Sequence, residues 1–459
     1  MFVRTVKSEG LAHLSYLVGH GGVAAVIDPR RDIDGYIELA AAENCRITHI
    51  LETHRNEDLV SGASALAERT GAAVLHGPHA AGEVVYARTV GEGDTIELGD
   101  ARLEVIETPG HTDDSLSFAL YGSGGGDDAI GVFTGDALFV GDVGRTDFYP
   151  DRPREVAGKL FDSLRKLEAL GDQAIVYPAH GAGSVCGSGM ADRDLSTIGL
   201  ERSHNPRLRI SDREEFIAAK LAEHHERPPY FAAMERLNLT GAAALRPPLQ
   251  PPPLHQADFA ARAQTAVVVD VRSVSAFLGA HLPGSLCLPV AMIGSFAGWL
   301  LATDDDLLLV AEDADQAATA ARRLARMGFD SVHGFLAPSL TAWAAAGCSF
   351  GSLPVVDAET VHSRIGTPPA EWRLLDVRSR SEVAAHRIGA ARHVYLGELP
   401  QQLDRLDPTL AYTVMCGSGT RAAIAAGVLR RAGFGRVDLF LGSIGAWMSE
   451  GYATAGGAA

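Results

Sequence analysis

The chain has 459 residues and a formal charge of −17 at pH 7, with 46% hydrophobic and 21% charged residues. That length is too great for one hydrophobic core, so we expect about two to four globular domains. The negative charge argues against nucleic acid as a partner, because phosphate binding requires a basic surface.

The sequence also bounds localisation and redox chemistry. No apolar stretch is long enough to span a bilayer, and the first residues lack the apolar core of a signal peptide. We therefore expect a cytoplasmic protein without a membrane partner. The five cysteines include no C-x-x-C pair, which argues against a disulfide framework and a zinc ribbon.

The first segment, to about residue 245, alternates short apolar strands with helices. Four predicted strands each run into a loop that carries a His or an Asp: "ITHILETH", "RLEVIETPGH", "AIGVFTGD" and "QAIVYPAH". The residues placed in this way are His54, His111, Asp136 and His180. Strand ends are where α/β folds place their chemistry, because the strand fixes the position and the loop leaves the site open.

The loop "THRNEDLVSG" would read His-x-His-x-Asp-His in a chain that binds two zinc ions with it. Here His54 and Asp58 are present, but Asn56 and Leu59 stand where the second and third His belong. Leucine cannot ligate a metal, so the second metal position lacks an essential ligand. The loop therefore argues against a two-zinc hydrolase.

Together with "TPGHTDDS", "FTGDALF" and "VYPAHGAGS", this loop resembles the metallo-β-lactamase fold, an αββα sandwich with its site in loops at one edge. Within that fold the segment is similar to the persulfide dioxygenases, which bind one Fe(II) per chain. The resemblance implies His54, His111 and Asp136 as the iron ligands. Two His and one carboxylate form the facial triad of non-haem Fe(II) oxygenases, which leaves positions for water, O2 and substrate.

Further residues take roles that this resemblance implies. The segment "GRTDF" makes Arg145 a candidate to bind the anionic end of the substrate or to order the site. Tyr177 and His180 are predicted to hydrogen-bond the metal ligands, and Asp58 to be a structural acceptor. Cys186 is predicted to lie near the iron and carry a persulfide, with a buried packing thiol as the alternative.

The stretch "RPPLQPPPLHQ" then predicts a semi-rigid linker, because so many prolines suit neither a helix nor a central strand. Beyond it, "VVVDVRSVSAFLGAHLPGS" is echoed by "RLLDVRSRSEVAAHRIGAA", and "SLTAWAAAG" by "SIGAWMSEG". Two copies of one α/β unit are the simplest interpretation. We place the domains at residues 1–245, 246–352 and 353–459.

The second copy carries a candidate nucleophile. In "MCGSGTRAA" a strand leads through Cys416 and a glycine-containing loop into a helix, and the N–H groups and the helix dipole favour a thiolate or an anionic persulfide there. With "LLDVRS" and "GSIGAW", this segment resembles the rhodanese sulfurtransferases, which implies Cys416 as the sulfur carrier. We predict Cys416 and Arg421 as catalytic residues. The predicted substrate cradle comprises Gly417, Ser418, Gly419 and Thr420.

The first copy has Ala311 and Gln316 at the positions of the Cys and the Arg, so it resembles a catalytically silent rhodanese domain that serves packing or docking. The pairs that recur at the strand ends of both copies are predicted to be structural ion pairs: Asp270 with Arg272, and Asp376 with Arg378. The remaining cysteines are assigned to packing: Cys45, Cys287 and Cys348.

Together the resemblances imply an α/β and α+β multidomain protein, a persulfide dioxygenase fused to two rhodanese-like domains. Persulfide and O2 would give sulfite and thiol at Fe(II), and Cys416 would convert sulfite to thiosulfate in sulfide detoxification. Two alternatives stay open: a glyoxalase II-like thioester hydrolase with two metals, and a sulfur-carrier scaffold with none. The identity of the persulfide carrier, the order of sulfur flow and a homodimer are open as well.

Overall fold

A computed structural model describes residues 1–78, 82–124, 126, 128–184, 187, 189–245 and 249–456. The chain divides into two compact units. One holds Met1–Arg246 together with Ala325–Gly328, and the other holds Pro247–Leu324 and Phe329–Ala459. Among the helices of the described ranges, none is long and apolar enough to cross a membrane.

The first unit is built on two six-stranded sheets. The first sheet contains β1 (Phe2–Ser8), β2 (His13–His20), β3 (Val23–Ile27), β4 (Arg46–Leu51), β5 (Ala73–His76) and β6 (Arg88–Thr89), paired in that order. The second contains β7 (Thr95–Leu98), β8 (Ala101–Glu107), β9 (Leu116–Tyr121), β10 (Gly131–Gly135), β11 (Ile175–Pro178) and β12 (Ser196–Thr197), which also lie in chain order across the sheet.

The two sheets pack face to face through one hydrophobic core. Tyr16 of β2, Phe118 of β9, Phe133 of β10 and Tyr177 of β11 all lie in this cluster. Strands β2 and β9 are buried on both faces, which explains why they read as continuous apolar runs rather than as alternating patterns.

Helices cover the outer face of each sheet. The described part of this unit contains helices α1 (Asp34–Ala42), α2 (Ala63–Thr70), α3 (Pro153–Glu168), α4 (Ile198–His204), α5 (Arg213–Leu221) and α6 (Phe231–Thr240). Tyr36 of α1 and Leu66 of α2 pack on the first sheet, while Leu164 of α3 and Phe216 of α5 pack on the second. The predicted αββα sandwich is therefore confirmed.

The second unit contains two five-stranded parallel sheets. The first copy has β13 (Pro253–Leu254), α7 (Gln256–Arg262), β14 (Val267–Asp270), α8 (Val274–Gly279), β15 (Leu286–Cys287), α9 (Ile293–Leu300), β16 (Leu307–Val310), α10 (Ala314–Arg326), β17 (Val332–Leu336) and α11 (Leu340–Ala345). The second has β18 (Val355–Val356), α12 (Ala358–Gly366), β19 (Trp372–Asp376), α13 (Arg380–Ala385), β20 (Arg392–His393), β21 (Ala411–Met415), α14 (Thr420–Arg431), β22 (Val437–Phe440) and α15 (Ser443–Ser449). Short 3-10 helices, Val290–Met292 and Leu396–Arg405, complete the two copies.

The two copies share one topology, so the predicted internal repeat is confirmed. The strand order is β13-β17-β16-β14-β15 in the first and β18-β22-β21-β19-β20 in the second. At the end of β14 and of β19, which occupy the same place in the two sheets, an Arg guanidinium donates two hydrogen bonds to an Asp carboxylate. The pairs are those predicted: Arg272 with Asp270, and Arg378 with Asp376.

Candidate functional site

Three buried side chains converge at one edge of the sandwich. His54 lies in the loop after β4, His111 between β8 and β9, and Asp136 directly after β10. Their ligand atoms all lie within 4.8 Å of one another. The structure thus brings together the three residues predicted as metal ligands.

A hydrogen-bond chain fixes the His54 ring. Asp28 accepts hydrogen bonds from the Thr53 backbone N–H at 2.7 Å and from the Thr53 hydroxyl at 2.8 Å. Because the Thr53 hydroxyl donates its hydrogen to Asp28, the Thr53 oxygen accepts a hydrogen bond from His54 Nδ1, at 2.9 Å. This leaves the Nε2 lone pair of His54 facing the site. Gly135, with φ of 53°, allows the end of β10 to lie close to Thr53, because a Cβ at residue 135 would lie 2.6 Å from Thr53 Oγ1.

A backbone carbonyl orients the second imidazole. His111 Nδ1 donates to the carbonyl oxygen of Arg145 at 3.0 Å, so Nε2 carries the free lone pair. Gly144, the residue before that carbonyl, lies against the ligands. A Cβ on Gly144 would lie 2.0 Å from the Asp136 carbonyl oxygen and 3.1 Å from His111 Cβ. The loop can hold His111 in this way because residue 144 has no side chain.

The third ligand is held by His180. His180 Nδ1 lies 2.7 Å from Asp136 Oδ1, which directs Asp136 Oδ2 into the site. The other ring nitrogen of His180 lies 3.1 Å from Asp58 Oδ2. His180 thus makes the predicted hydrogen bond to Asp136, and Asp58 is hydrogen-bonded to His180. Both residues would be ligands in a two-metal site, and here they bind each other.

Glu57 is a member of the site that the sequence analysis missed. Its Oε1 lies 3.3 Å from His111 Nε2, and its Oε2 lies 3.8 Å from His54 Nε2. The Glu57 side chain is 3% exposed, as buried as the ligands themselves. The sequence does show a carboxylate between His54 and Asp58, but Glu57 is not at one of the ligand positions of the motif, so the motif does not indicate it.

The charges of the site are set by burial and by mutual contacts. Burial lowers the pKa of His54 and so favours the neutral form that ligates metals. Burial raises the pKa of Asp136, but the imidazole of His180 and those of the two ligand His outweigh it and hold that pKa well below its usual range. Burial likewise raises the pKa of Glu57, but His111 outweighs it and lowers the pKa to about 2. Two carboxylates are therefore ionised at neutral pH.

These donors fit a divalent transition metal. Among the described residues, His54 Nε2, His111 Nε2 and Asp136 Oδ2 are buried polar atoms without a hydrogen-bond partner. Leaving such atoms unsatisfied costs about 1–3 kcal/mol each, which a bound cation would remove. Two imidazole nitrogens with a carboxylate are a donor set suited to Fe(II).

Arg145 and Tyr177 are placed differently from the metal ligands. The Arg145 side chain is 1% exposed and donates to both oxygens of Asp147 at 2.6 Å. This pairing favours the ordering role that we gave as an alternative, since the same residue's carbonyl holds His111. The Tyr177 ring stacks on Phe133 at 4.9 Å between centroids, in the core rather than beside a ligand.

The cysteines of the chain differ in exposure. Cys186 lies outside the described residues, so its predicted role at the iron stays a prediction. Cys287 is buried and Cys45 and Cys348 are half-buried, and all three are free thiols. Burial raises the pKa of Cys287, which agrees with the packing role we assigned to it.

The loop after β21 forms a second site. Cys416 Sγ accepts a hydrogen bond from the Gly419 backbone N–H at 3.1 Å. The Cys416 N–H donates to Ser443 Oγ at 2.9 Å, which ties the loop to the start of α15. Gly419 has φ of 112° and precedes the first turn of α14, so its N–H can turn toward the sulfur. An N–H aimed at the sulfur stabilises a thiolate or a persulfide anion.

Arg421 is clamped by a carboxylate that the sequence analysis did not identify. Its Nη1 and Nη2 donate to Glu382 at 2.6 and 2.7 Å. Glu382 is also part of the capping box at the start of α13. A bidentate pair fixes the plane of the guanidinium at the rim of the Cys416 loop.

The first copy has lost all three parts of this site. Ala311 and Gln316 replace the Cys and the Arg, as predicted, and Ala276 stands at the helix position of Glu382. Gln316 Oε1 accepts a hydrogen bond from the Glu312 backbone N–H, and the Gln316 backbone N–H donates to the Asp313 carboxylate. A loop lined with carboxylates repels an anionic substrate.

Comparisons with known proteins cover both units. A family model for the metallo-beta-lactamase superfamily matches residues 9–180, and one for the rhodanese-like domain matches residues 255–346 and 357–450. The first segment is 37% identical over 162 residues to a hydroxyacylglutathione hydrolase of Rhodospirillum rubrum, which covers 35% of this chain and 57% of that protein. The chain therefore spans little more than half the length of this relative.

Two further relatives are covered more fully. The chain is 32% identical over 219 residues to the mitochondrial persulfide dioxygenase ETHE1 of Mus musculus, which covers 44% of this chain and 74% of that protein. The crystal structure of a metallo-beta-lactamase from Staphylococcus aureus subsp. aureus COL is 30% identical with a TM-score of 0.66. That similarity covers 73% of this chain and 98% of the solved one.

Proposed function

The chain belongs to the metallo-beta-lactamase superfamily and carries two rhodanese-like domains, and from this premise we propose that it is a persulfide dioxygenase coupled to sulfur transfer. The substrate is a thiol persulfide, the oxidant is O2, and the cofactor is one Fe(II) per chain held by His54, His111 and Asp136. Cys416 carries sulfane sulfur to sulfite and so forms thiosulfate. We place this reaction in the cytoplasm, where it removes sulfide-derived sulfur.

The observation that carries the proposal is the pairing of His180 with Asp58. A two-metal hydrolase needs both as ligands, with further imidazoles at positions 56 and 59. Here the two side chains are hydrogen-bonded to each other at 3.1 Å, and Leu59 is buried. The ligand atoms of His54, His111 and Asp136 lie within 4.8 Å of one another, which supports a facial set for one ion.

When bound, Fe(II) would supply adjacent positions for the persulfide sulfur and O2 and would accept charge as O2 is activated. The protein's own residues prepare this site. Thr53 and the Arg145 carbonyl hold the two imidazoles in the ligating tautomer. Phe148 packs edge-on against His111 at 5.2 Å between centroids.

The overall reaction balances with water as the third reactant. One persulfide, one O2 and one water give one thiol, one sulfite and two protons. The terminal sulfur is oxidised and O2 is reduced, so no other redox partner is required.

Sulfur transfer takes place on the loop after β21. The Cys416 thiolate attacks the outer sulfur of a persulfide, the S–S bond breaks, and the carrier leaves as a thiol after protonation. The terminal sulfur of the Cys416 persulfide is then attacked by sulfite, which gives thiosulfate and restores the thiolate. The Gly419 N–H, 3.1 Å from Sγ, stabilises the anion in both states.

A thioester hydrolase is the second candidate, because the first unit is 37% identical to a hydroxyacylglutathione hydrolase. That function predicts about two metal ions per chain and turnover without O2. Asn56 and Leu59 stand where two of its imidazole ligands would be. Metal content of the purified protein separates the two candidates.

The test is oxygen uptake by the anaerobically iron-loaded full chain supplied with glutathione persulfide, with sulfite and thiosulfate quantified. His111→Ala should abolish oxygen uptake. Cys416→Ser should retain uptake and release sulfite in place of thiosulfate. Wild-type protein that binds iron but consumes no oxygen would refute the dioxygenase proposal.

A further inference from the structure

One aromatic ring connects the metal site with an exposed arginine. Phe148 packs edge-on against His111, with 5.2 Å between the two ring centroids. The guanidinium carbon of Arg227 lies 5.5 Å from the centroid of the same Phe148 ring. Phe148 is itself half-buried, whereas Arg227 is exposed. A single phenyl ring therefore lies between a predicted metal ligand and a cationic group that solvent can reach.

The two arginines that contact Phe148 differ in what else they can bind. The guanidinium carbon of Arg145 lies 5.0 Å from the ring centroid, but this side chain is 1% exposed and donates to both oxygens of Asp147. The Arg227 side chain is 45% exposed and lies 3.6 Å from the Glu235 carboxylate, which is 39% exposed. Such an exposed ion pair contributes little to stability, because water competes for both charges. Arg227 can therefore exchange Glu235 for another anion at small cost, whereas Arg145 is committed to Asp147.

The segment that carries Arg227 is tied to the loops of the metal site on both sides. Arg145 Nη1 donates to the carbonyl oxygen of Glu226 at 3.2 Å. The Tyr230 hydroxyl donates to the carbonyl oxygen of Asp58 at 2.8 Å. The backbone that precedes and follows Arg227 is thus anchored to residues of the site. A cation on such a segment stays at a defined distance from the metal ligands, so it can select a substrate by length and charge.

We propose that Arg227 binds an anionic group on the thiol that carries the persulfide, and that it thereby determines which carriers are accepted. The persulfide sulfur lies at the metal, the hydrocarbon part of the carrier passes over the Phe148 ring, and the anionic group pairs with Arg227. The substrate class is a persulfide of a thiol with a carboxylate or a phosphate several bonds from the sulfur. This inference rests on the proposed function, because it names the substrate of the same site.

The charge of the chain and the shape of the guanidinium both support this assignment. A formal charge of −17 opposes the approach of an anionic carrier, so such a carrier requires a cation where it binds. A guanidinium binds a carboxylate or a phosphate through two parallel hydrogen bonds, which fix the orientation of the bound group. An uncharged carrier gains neither of these contributions from Arg227.

The experiment measures oxygen uptake by the iron-loaded full chain with three persulfides. Glutathione persulfide supplies carboxylates, coenzyme A persulfide supplies phosphates, and N-acetylcysteamine persulfide has an uncharged carrier. The variants are Arg227→Gln and Arg227→Lys. Arg213→Gln is the matched control, because the Arg213 side chain is 46% exposed and pairs with Asp162, so the same charge is removed from a similar ion pair on the outer helices.

We expect Arg227→Gln to raise the KM for an anionic persulfide about 10- to 100-fold, which is the effect of losing a charge-assisted bidentate contact. The effect on kcat should be smaller, because the contact is equally strong in the ground state and the transition state. Arg227→Lys should recover part of the loss, since it keeps the charge without the parallel hydrogen bonds. N-acetylcysteamine persulfide should distinguish none of the variants from the wild type. The anionic persulfide with the larger loss identifies the bound group as carboxylate or phosphate.

A binding measurement separates this inference from the proposed oxidation. Calorimetric titration of the anaerobic iron-loaded chain with glutathione or coenzyme A uses neither persulfide nor O2, and Arg227→Gln should weaken the affinity for one of these thiols about 10- to 100-fold. Wild-type protein that consumes no oxygen but binds the thiol through Arg227 would refute the oxidation and support the anion site.

Two results would overturn the inference. In the first, Arg227→Gln and Arg213→Gln have the same KM and the same thiol affinity with both anionic carriers. In the second, Arg227→Gln loses as much activity with N-acetylcysteamine persulfide as with the anionic persulfides. The second result would show that the substitution disturbs the site itself, without any recognition of charge.

Discussion

Replacement of Gly144 by alanine should disrupt the metal centre without removing any ligand. The added Cβ would lie 2.0 Å from the Asp136 carbonyl oxygen and 3.1 Å from His111 Cβ. An ordinary carbon–oxygen contact is about 3.4 Å, so something must move by about 1.4 Å. Moving Asp136 or His111 displaces a ligand directly. Moving the loop itself displaces the Arg145 carbonyl, which orients His111.

The expected losses of stability, metal affinity and oxygen uptake follow from this displacement. Overpacking of this kind costs about 1–3 kcal/mol of stability, which a domain of this size can withstand. A misplacement of about 1 Å at a reacting centre costs about a hundredfold in rate. We therefore expect Gly144→Ala to fold, to bind metal about 10- to 100-fold more weakly and to lose about 99% of its oxygen uptake at saturating persulfide.

The assay compares Gly144→Ala with Gly181→Ala. Gly181 lies directly after His180 in the same group of loops, but a Cβ there would meet atoms no nearer than 3.9 Å. The control should therefore retain metal affinity and oxygen uptake within about twofold. Wild-type metal affinity in Gly144→Ala would refute the reasoning, because it would show that the loop does not touch the ligands.

Three further predictions concern residues around the two sites. His180→Ala removes the 2.7 Å hydrogen bond to Asp136. We therefore expect a Mn(II) dissociation constant about 10- to 100-fold higher, measured by electron paramagnetic resonance of free Mn(II) as the metal-free chain is titrated. Glu382→Gln should lose thiosulfate formation and keep oxygen uptake, because Arg421 loses its clamp. Burial raises the pKa of Glu382, but Arg421 outweighs it and lowers the pKa to about 2 from 4.5, so the pair stabilises the fold above pH 4.5 and this stabilisation is lost toward pH 2. The difference in Tm between wild type and Glu382→Gln should therefore narrow as the pH falls below 4.5, and a constant difference would contradict the assignment. Because Cys287 is buried with a raised pKa, iodoacetamide at pH 8 should leave it unmodified in the native chain and alkylate it in denaturant, as read by peptide mass spectrometry.

Much of the fold could be predicted from the sequence because its local patterns agree with its tertiary structure. Strands such as β2 and β9 read as apolar runs, since both of their faces are covered. The repeat was visible because both copies have the same Asp–Arg pair, at the end of β14 and of β19. Sheet order and register were not predicted, since they depend on contacts between distant segments.

Site residues that belong to a recognisable sequence motif were predicted. Those that reach the site only through the three-dimensional arrangement of the chain were missed. His54, His111 and Asp136 belong to recognisable loops, and they converge as expected. Glu57 was missed because the motif is defined by its neighbours. The direction of the Glu57 side chain depends on the loop backbone, where the Asn238 side-chain amide of α6 donates to the carbonyl oxygens of Asn56 and Leu59. Sequence spacing carries no information about such a contact from helix α6.

The two altered positions of the metal loop change the site in one consistent direction. Leu59, at the sequence position of the third imidazole, is buried and cannot ligate a metal, so the second metal position lacks a ligand. Asp58, which would have shared that metal, is satisfied by His180, and His180 in turn fixes Asp136. Asp58 and His180, which would ligate the second ion of a two-metal hydrolase, therefore support Asp136 here. A persulfide oxidation would need only one ion with open adjacent positions, whereas the full ligand set of the two-metal hydrolases holds a second ion as well.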